Sequence, residues 1–334
     1  MNENSSLSVA AGTVIRPAVD YARHTVFSDP GDQRDWLADA PRTVAGIRRL
    51  AGTLIFHYRA SGDPTALGFG PERLDEIDLR YADAILGRAR RLQPGSITAP
   101  RGDLQSVLGC CRDFTLVFVA MARELGVPTR MRIGFGGYLI AGWWLDHVIA
   151  EVWDAAAERW TLVEPQMPDG FPDQQIGAPL DLLDVPRDRF LVGADAWRAA
   201  RTGVIDAERF VVDPSNLIVF LRSWPYLAHN LVMDLAAVNG REPLLWDAWG
   251  ELERFTDSSV ETAELSAADF AALDDIAAAL AEAMEPHVDP QASAVRAADV
   301  SNASGLGMPD TVLTLSPYGR PPRRTALRTA STPG

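Results

Sequence analysis

The run Gly109-Cys110-Cys111-Arg112-Asp113-Phe114, continued by Thr115 to Pro128, decides how the rest of the chain is read. Phe114, Val117, Phe118, Met121 and Leu125 fall at i, i+3, i+4, i+7 and i+11, which is the spacing of a helix with one strongly apolar face. Gly126 and Pro128 then stop it. Cys111 therefore stands where a loop becomes a helix. Free backbone N–H groups and the positive end of the helix dipole favour a thiolate there, the nucleophilic form of the side chain. Arg112 pushes the same way if it is near in space. Free cysteines are more often small buried hydrophobes than nucleophiles, so the position acquires meaning only with partners.

Those partners are sought downstream. Thr129–Phe135 alternates Met131, Ile133 and Phe135 with Thr, Arg and Gly, a short strand. A Gly- and aromatic-rich loop leads through Trp143 and Trp144 to two further strands, His147–Trp153 and Arg159–Val163, joined by the turn Asp154–Glu158. His147, Ile149, Glu151 and Trp153 share one face, and Val148, Ala150 and Val152 the other. With the turn centred on Ala156, His147 falls opposite Pro165 or Glu164. Glu164 can then reach the imidazole, which gives a nucleophile at a helix start, a base at a strand end and an acid on the neighbouring strand.

Upstream, Val44, Ile47, Leu50 and Leu54 predict a helix over Thr43–Arg59. Ile77, Leu79, Ala82, Ile85 and Leu86 predict another over Asp75–Leu92. Beyond Pro165 the chain is irregular to about Arg189. Helices are then expected over Asp195–Arg201, Leu227–Val238 and Ala267–Met284. The organisation expected is a helical N-terminal part over 1–100, a core with an extension over 101–255, a helical segment over 256–316 and a disordered tail over 317–334. The tail expectation rests on its Arg, Pro and Ser/Thr content.

Composition bounds the chemistry. The 334 residues are 47% hydrophobic, ample for a real core. All 31 basic residues are arginine, a bias expected of a GC-rich genome, and the lack of lysine excludes a lysine Schiff base and the usual phosphate loop. A net charge of −14 argues against general nucleic-acid binding. Two adjacent cysteines exclude a disulfide scaffold and suit a zinc site badly, even with His147 added. Gly134-Phe135-Gly136-Gly137 precedes no helix start and is not a nucleotide loop. No metal or nucleotide cofactor is expected. The apolar runs Thr115–Ala122 and Leu217–Leu221 are far short of a membrane span, and a soluble, cytoplasmic protein is expected.

The motifs carry a resemblance. Gly-x-Cys-Arg-Asp-Phe, the helix ending Arg-x-Leu-Gly-Val-Pro-x-Arg (Arg123 to Arg130), Gly134-Phe135, Asp146-His147, Glu151-Val152-Trp153 and Trp160-Thr161-Leu162-Val163-Glu164-Pro165 resemble the transglutaminase-like superfamily over about residues 105–167. The likeness is to a bacterial branch with long flanking segments. It implies an α+β, papain-like fold, with the nucleophile-bearing helix packed on an antiparallel sheet. It also implies Cys111 as nucleophile, His147 as base and Glu164 as third member. The family usually has Asp at that last position, so Asp146 and Asp113 stand as alternative orienting acids. Asp113 also reads as an ordinary acid in a first helical turn.

A one-residue shift is expected to turn Cys110 away from the side Cys111 faces. Gln105 matches the spacing of the oxyanion glutamine of papain-like proteases, beside the backbone N–H of Cys111. Trp143 and Trp144 are candidates for the wall of a substrate groove, and equally for core anchors. His24, His57, His229 and His287 are scattered singly and read as surface or core histidines, and Trp246-Asp247-Ala248-Trp249 as packing. The activity implied is acyl transfer at an amide, ester or thioester carbonyl, with amine or water as acceptor. A non-catalytic scaffold is the alternative, supported by the Glu at position 164.

Overall fold

The computed structural model describes residues 17–215, 221–255 and 265–329. The apolar run Leu217–Leu221 falls mostly outside them. In chain order the helices are α1 (Arg34–Leu37), α2 (Val44–Leu54), α3 (Ala82–Leu92), α4 (Cys111–Glu124), α5 (Gly193–Arg201), α6 (Ser223–Val238), α7 (Ala267–Ala283) and α8 (Pro290–Ser304). The strands are β1 (Ile55–His57), β2 (Val107–Gly109), β3 (Thr129–Gly136), β4 (Trp144–Asp154), β5 (Arg159–Val163), β6 (Phe190–Val192), β7 (Phe210–Val211), β8 (Asp247–Ala248), β9 (Thr311–Thr314) and β10 (Arg323–Ala326).

The expected α+β fold is present. The sheet runs β5-β4-β3-β6 with antiparallel pairs, and β7 adds a short parallel pair to β4. Helix α4 packs on it through Phe114, Val117, Phe118 and Met121, which share a core with Met131, Ile133, Val148, Ala150 and Val152. The Thr115 hydroxyl ties the helix to the strand by donating to the Val148 carbonyl at 2.9 Å. Cys111 to Arg123 are all buried, so α4 is a central helix rather than a half-exposed one.

Strand β3 is buried on both faces, where its alternation led us to expect one apolar face and one polar face. The reason lies in α6. Asp234 on that helix accepts from the Ile133 backbone N–H at 2.9 Å and from Arg132 at 3.0 and 2.8 Å. Glu151 accepts from Arg130 and Arg132, each at 2.7 Å, and from Arg187. Each buried arginine is thereby matched with a carboxylate. Gly134 is required by its neighbours, since a Cβ there would lie 2.1 Å from the Leu191 carbonyl oxygen on β6.

Three segments differ from the reading of the sequence. Helix α2 ends at Leu54, and Ile55–His57 leaves it as β1, which pairs in parallel with β2. The segment Pro71–Asp78 is a 3-10 helix separate from α3. Residues 317–329, expected within a disordered tail, include β10, which pairs antiparallel with β9 in the sheet β10-β9-β8. Its arginines are engaged, Arg324 with Glu253 and Arg328 with Asp83. Pairing with β9 and ion pairs to residues distant in the sequence order this segment in place of a large apolar content.

Candidate active site

β2 delivers the chain to α4, and Cys110 is the residue before the first helical turn. Its backbone N–H donates to the Asp113 carboxylate at 2.8 Å, and Arg112 binds the other oxygen of Asp113 at 3.0 Å. Asp113 is thus a helix-capping acid and not an orienting one. Cys111 is the first residue of the helix, is buried, and lines a cleft of about 1300 Å³ together with His147, Asp146, Phe114, Met167, Phe171, Tyr226 and Trp246.

The structure brings Cys111, His147 and Glu164 together. The His147 Nε2 lies 2.6 Å from Glu164 Oε2. The other ring nitrogen is left for the Cys111 sulfur, which lines the same cleft. Glu164 lies just past the end of β5. The observed register pairs Ala150 with Val163, one residue off the turn-centred expectation. Glu164 therefore falls across from Ile149, diagonal to His147 on the same face. The extra methylene of a glutamate spans that diagonal. Tyr138 also donates to Oε2, and the Gln166 backbone N–H donates to Oε1 at 2.8 Å.

The electrostatics follow. The neighbouring Cys110 thiol holds the Cys111 pKa well below the usual thiol value; burial opposes this, and His147 and His57 add to the lowering. Burial alone would lower His147, but the Glu164 charge, the nearby Cys111 and the hydrogen bond to Glu164 push it up to about 10. Burial would raise Glu164; the imidazolium and its hydrogen bonds hold it below the usual carboxylate value. These shifts favour a thiolate–imidazolium pair backed by a carboxylate.

Other expected residues take different places. Cys110 does not turn away: it lines the same cleft as Cys111, because the N-cap is extended before the helix turns. Gln105 does not line the cleft, and its Oε1 accepts from the Gly102 N–H at 2.9 Å within its own turn. Trp143 and Trp144 do not line it either. Arg209 covers Trp143, and Trp144 stacks on Phe210 at 6.0 Å, so both anchor the edge where β7 joins β4. Burial and then the nearby Cys111 charge lift Asp146 to about 7, and Tyr226, His147 and Asn230 oppose the rise. It faces the cleft and does not bond His147.

Two contributors were missed. Tyr138 sat in a loop whose aromatic content carried no periodic signal. His57 enters the cleft because β1 pairs with β2, setting His57 across from Gly109, two residues before Cys111. Of the other histidines, His24 pairs with Glu124 at 2.7 Å, His287 is exposed, and burial lowers His229 to about 4. Among the described residues no group of three or more His, Cys, Asp or Glu is arranged to hold a metal ion, and no helix is long and apolar enough to cross a membrane.

Comparison with known proteins bears on this segment. Residues 88–165 match the family model of the transglutaminase-like superfamily, a span that contains Cys111, His147 and Glu164. A solved structure described as a "Putative Cysteine Protease" from Cytophaga hutchinsonii aligns at 14% identity and a TM-score of 0.29, over 52% of this chain and 44% of that one. This chain thus covers less than half the length of that protein. No curated protein matches the chain.

Proposed function

We propose that the protein is a cysteine-dependent acyl-transfer enzyme, acting on an amide, ester or thioester carbonyl. The observation that carries this reading is that Cys111 and His147 line one cleft, with His147 bonded to Glu164 at 2.6 Å behind it. The Cys111 thiolate attacks the carbonyl carbon, a C–S bond forms, and the π pair moves to oxygen. When the carbonyl re-forms, the leaving group departs with the proton held by His147, and an acyl-enzyme thioester remains. Neutral His147 then removes a proton from an amine or a water as it attacks the thioester. An amine gives an amide bond, and water gives hydrolysis. The Cys111 backbone N–H, at the start of α4, supplies one oxyanion donor.

The competing scaffold reading drew its support from Glu164 standing in place of Asp. That support is weakened by the 2.6 Å contact of Glu164 with His147. Intact-protein mass spectrometry after incubation with p-nitrophenyl acetate tests the proposal. The expected result is one acetyl group on Cys111, absent from Cys111→Ala. An unmodified wild type would sink the reading, and acetylation persisting in Cys111→Ala would remove Cys111 as nucleophile.

A further inference from the structure

The acyl-transfer reading leaves one donor unassigned. A tetrahedral intermediate places negative charge on oxygen, and a single backbone N–H beside the nucleophile is half of the usual arrangement. Gln105 cannot complete it, because its side-chain oxygen is engaged with Gly102 and the residue stands off the cleft. The candidate that shares the cleft with the sulfur is His57.

Its position is set by the backbone. The parallel pairing of β1 and β2 puts His57 across from Gly109, and the next residue's N–H, that of Tyr58, donates to the Gly109 carbonyl at 2.9 Å. The chain then turns, so that the N–H groups of Arg59 and Ala60 both donate to His57 Nδ1, at 3.1 and 3.0 Å. A nitrogen that accepts two N–H groups carries no proton of its own. The ring is therefore held as the tautomer with its proton on Nε2. Nε2–H is the edge left to face the cleft, which His57 and Cys111 line together, and the imidazole helps to hold the Cys111 pKa down.

We propose that His57 is a catalytic residue: its Nε2–H, with the backbone N–H of Cys111, forms the oxyanion site. The role rests on the acyl-transfer reading above. As the thiolate adds to the carbonyl carbon, Nε2–H donates a hydrogen bond to the new oxyanion. No proton is transferred to the oxygen, and the bond relaxes when the carbonyl re-forms and the leaving group is expelled. A donor fixed before the substrate arrives needs no reorganisation at that moment. The two histidines thereby divide the work, His147 moving protons and His57 holding one.

Two reactions of the same sulfur separate this role from thiolate stabilisation. Acetylation by p-nitrophenyl acetate passes through an oxyanion, whereas alkylation by iodoacetamide at a saturated carbon does not. Both rates are taken on the pH-independent plateau, where Cys111 is fully thiolate. His57→Asn keeps an amide oxygen for the turn and removes the donor; His57→Gln restores an amide N–H near the position of Nε2. Acetylation of His57→Asn is expected to fall about 100-fold. Its alkylation should stay within about threefold, and His57→Gln should regain about tenfold of the lost acetylation. His57→Phe, which fills the site without either nitrogen, should show the same divergence and serves if His57→Asn does not fold. Equal losses in both reactions, or unchanged acetylation in His57→Asn, overturn the assignment. A wild type that is not acetylated at all overturns the acyl-transfer reading itself, and this role falls with it.

Discussion

Glu164 holds three donors at once: the His147 ring, the Tyr138 hydroxyl and the Gln166 backbone. Its charge and its length therefore have separable effects. Glu164→Gln keeps the reach but removes the charge that raises His147, so the imidazolium is lost at a lower pH and acylation should fall about 100-fold. Glu164→Asp keeps the charge and shortens the reach, and should retain more activity than Glu164→Gln. Equal, near-normal rates in both variants would remove Glu164 from the site. The pH dependence has a definite sign. Because the Cys111 pKa is lowered and that of His147 is raised to about 10, alkylation by iodoacetamide should already be on its plateau at pH 7. It should decline as the pH falls through the lowered thiol value. A rate still climbing toward the ordinary thiol pKa, between pH 7 and 9, would show that the thiolate is not stabilised.

At the scale of elements, β3 and β4 are held by charges on one face as well as by the apolar face that packs on α4. Glu151 is fully buried among Arg130, Arg132 and Arg187, and these cations hold its carboxyl far below its ordinary value against the opposing effect of burial. Glu151→Gln leaves those cations without their partner and should destabilise the protein by about 3–5 kcal/mol in denaturant unfolding. The native group keeps its proton off well below the ordinary carboxylate range. Its contribution is thus present above that range and is lost as the pH falls toward the depressed folded value. A loss under 1 kcal/mol in Glu151→Gln, about the worth of an exposed pair, would contradict this account.

The same elements explain what was legible in the sequence. Helix α4 and strands β4 and β5 declare themselves by periodicity and by the turn between the strands, and with them Cys111, His147 and Glu164. Strand β1 does not, because Ile55 and Phe56 continue the apolar pattern of the helix before it. His57 was unreadable for a related reason: its place depends on pairing with Gly109, far along the chain, and local spacing carries no trace of that. Gln105 had the right spacing for an oxyanion donor but spends its side chain on its own turn. The arginines of β3 looked like an outer face because the carboxylate of Asp234, which neutralises one of them, lies on a distant helix.

Over the whole molecule, the C-terminal segment closes back on the first hundred residues. Arg320, Pro317 and Ser316 line the cleft, Tyr318 packs on Tyr58 at 5.5 Å between ring centroids, and Leu327 is buried. Trypsin should therefore cut after Arg323 and Arg324 at least about tenfold more slowly in the folded protein than in the same chain in urea. Rapid nicking there under native conditions, followed by mass spectrometry, would restore the picture of a free tail.

Burial of α4 on every side has a further consequence, for when the site is organised. Amides in such a helix have no local route to solvent and exchange with deuterium only through global opening. The backbone N–H of Cys111 heads this helix, so its orientation is settled when the chain folds and not when an acyl donor arrives. The slowest-exchanging segment of the protein and the segment that carries the nucleophile should then be the same one.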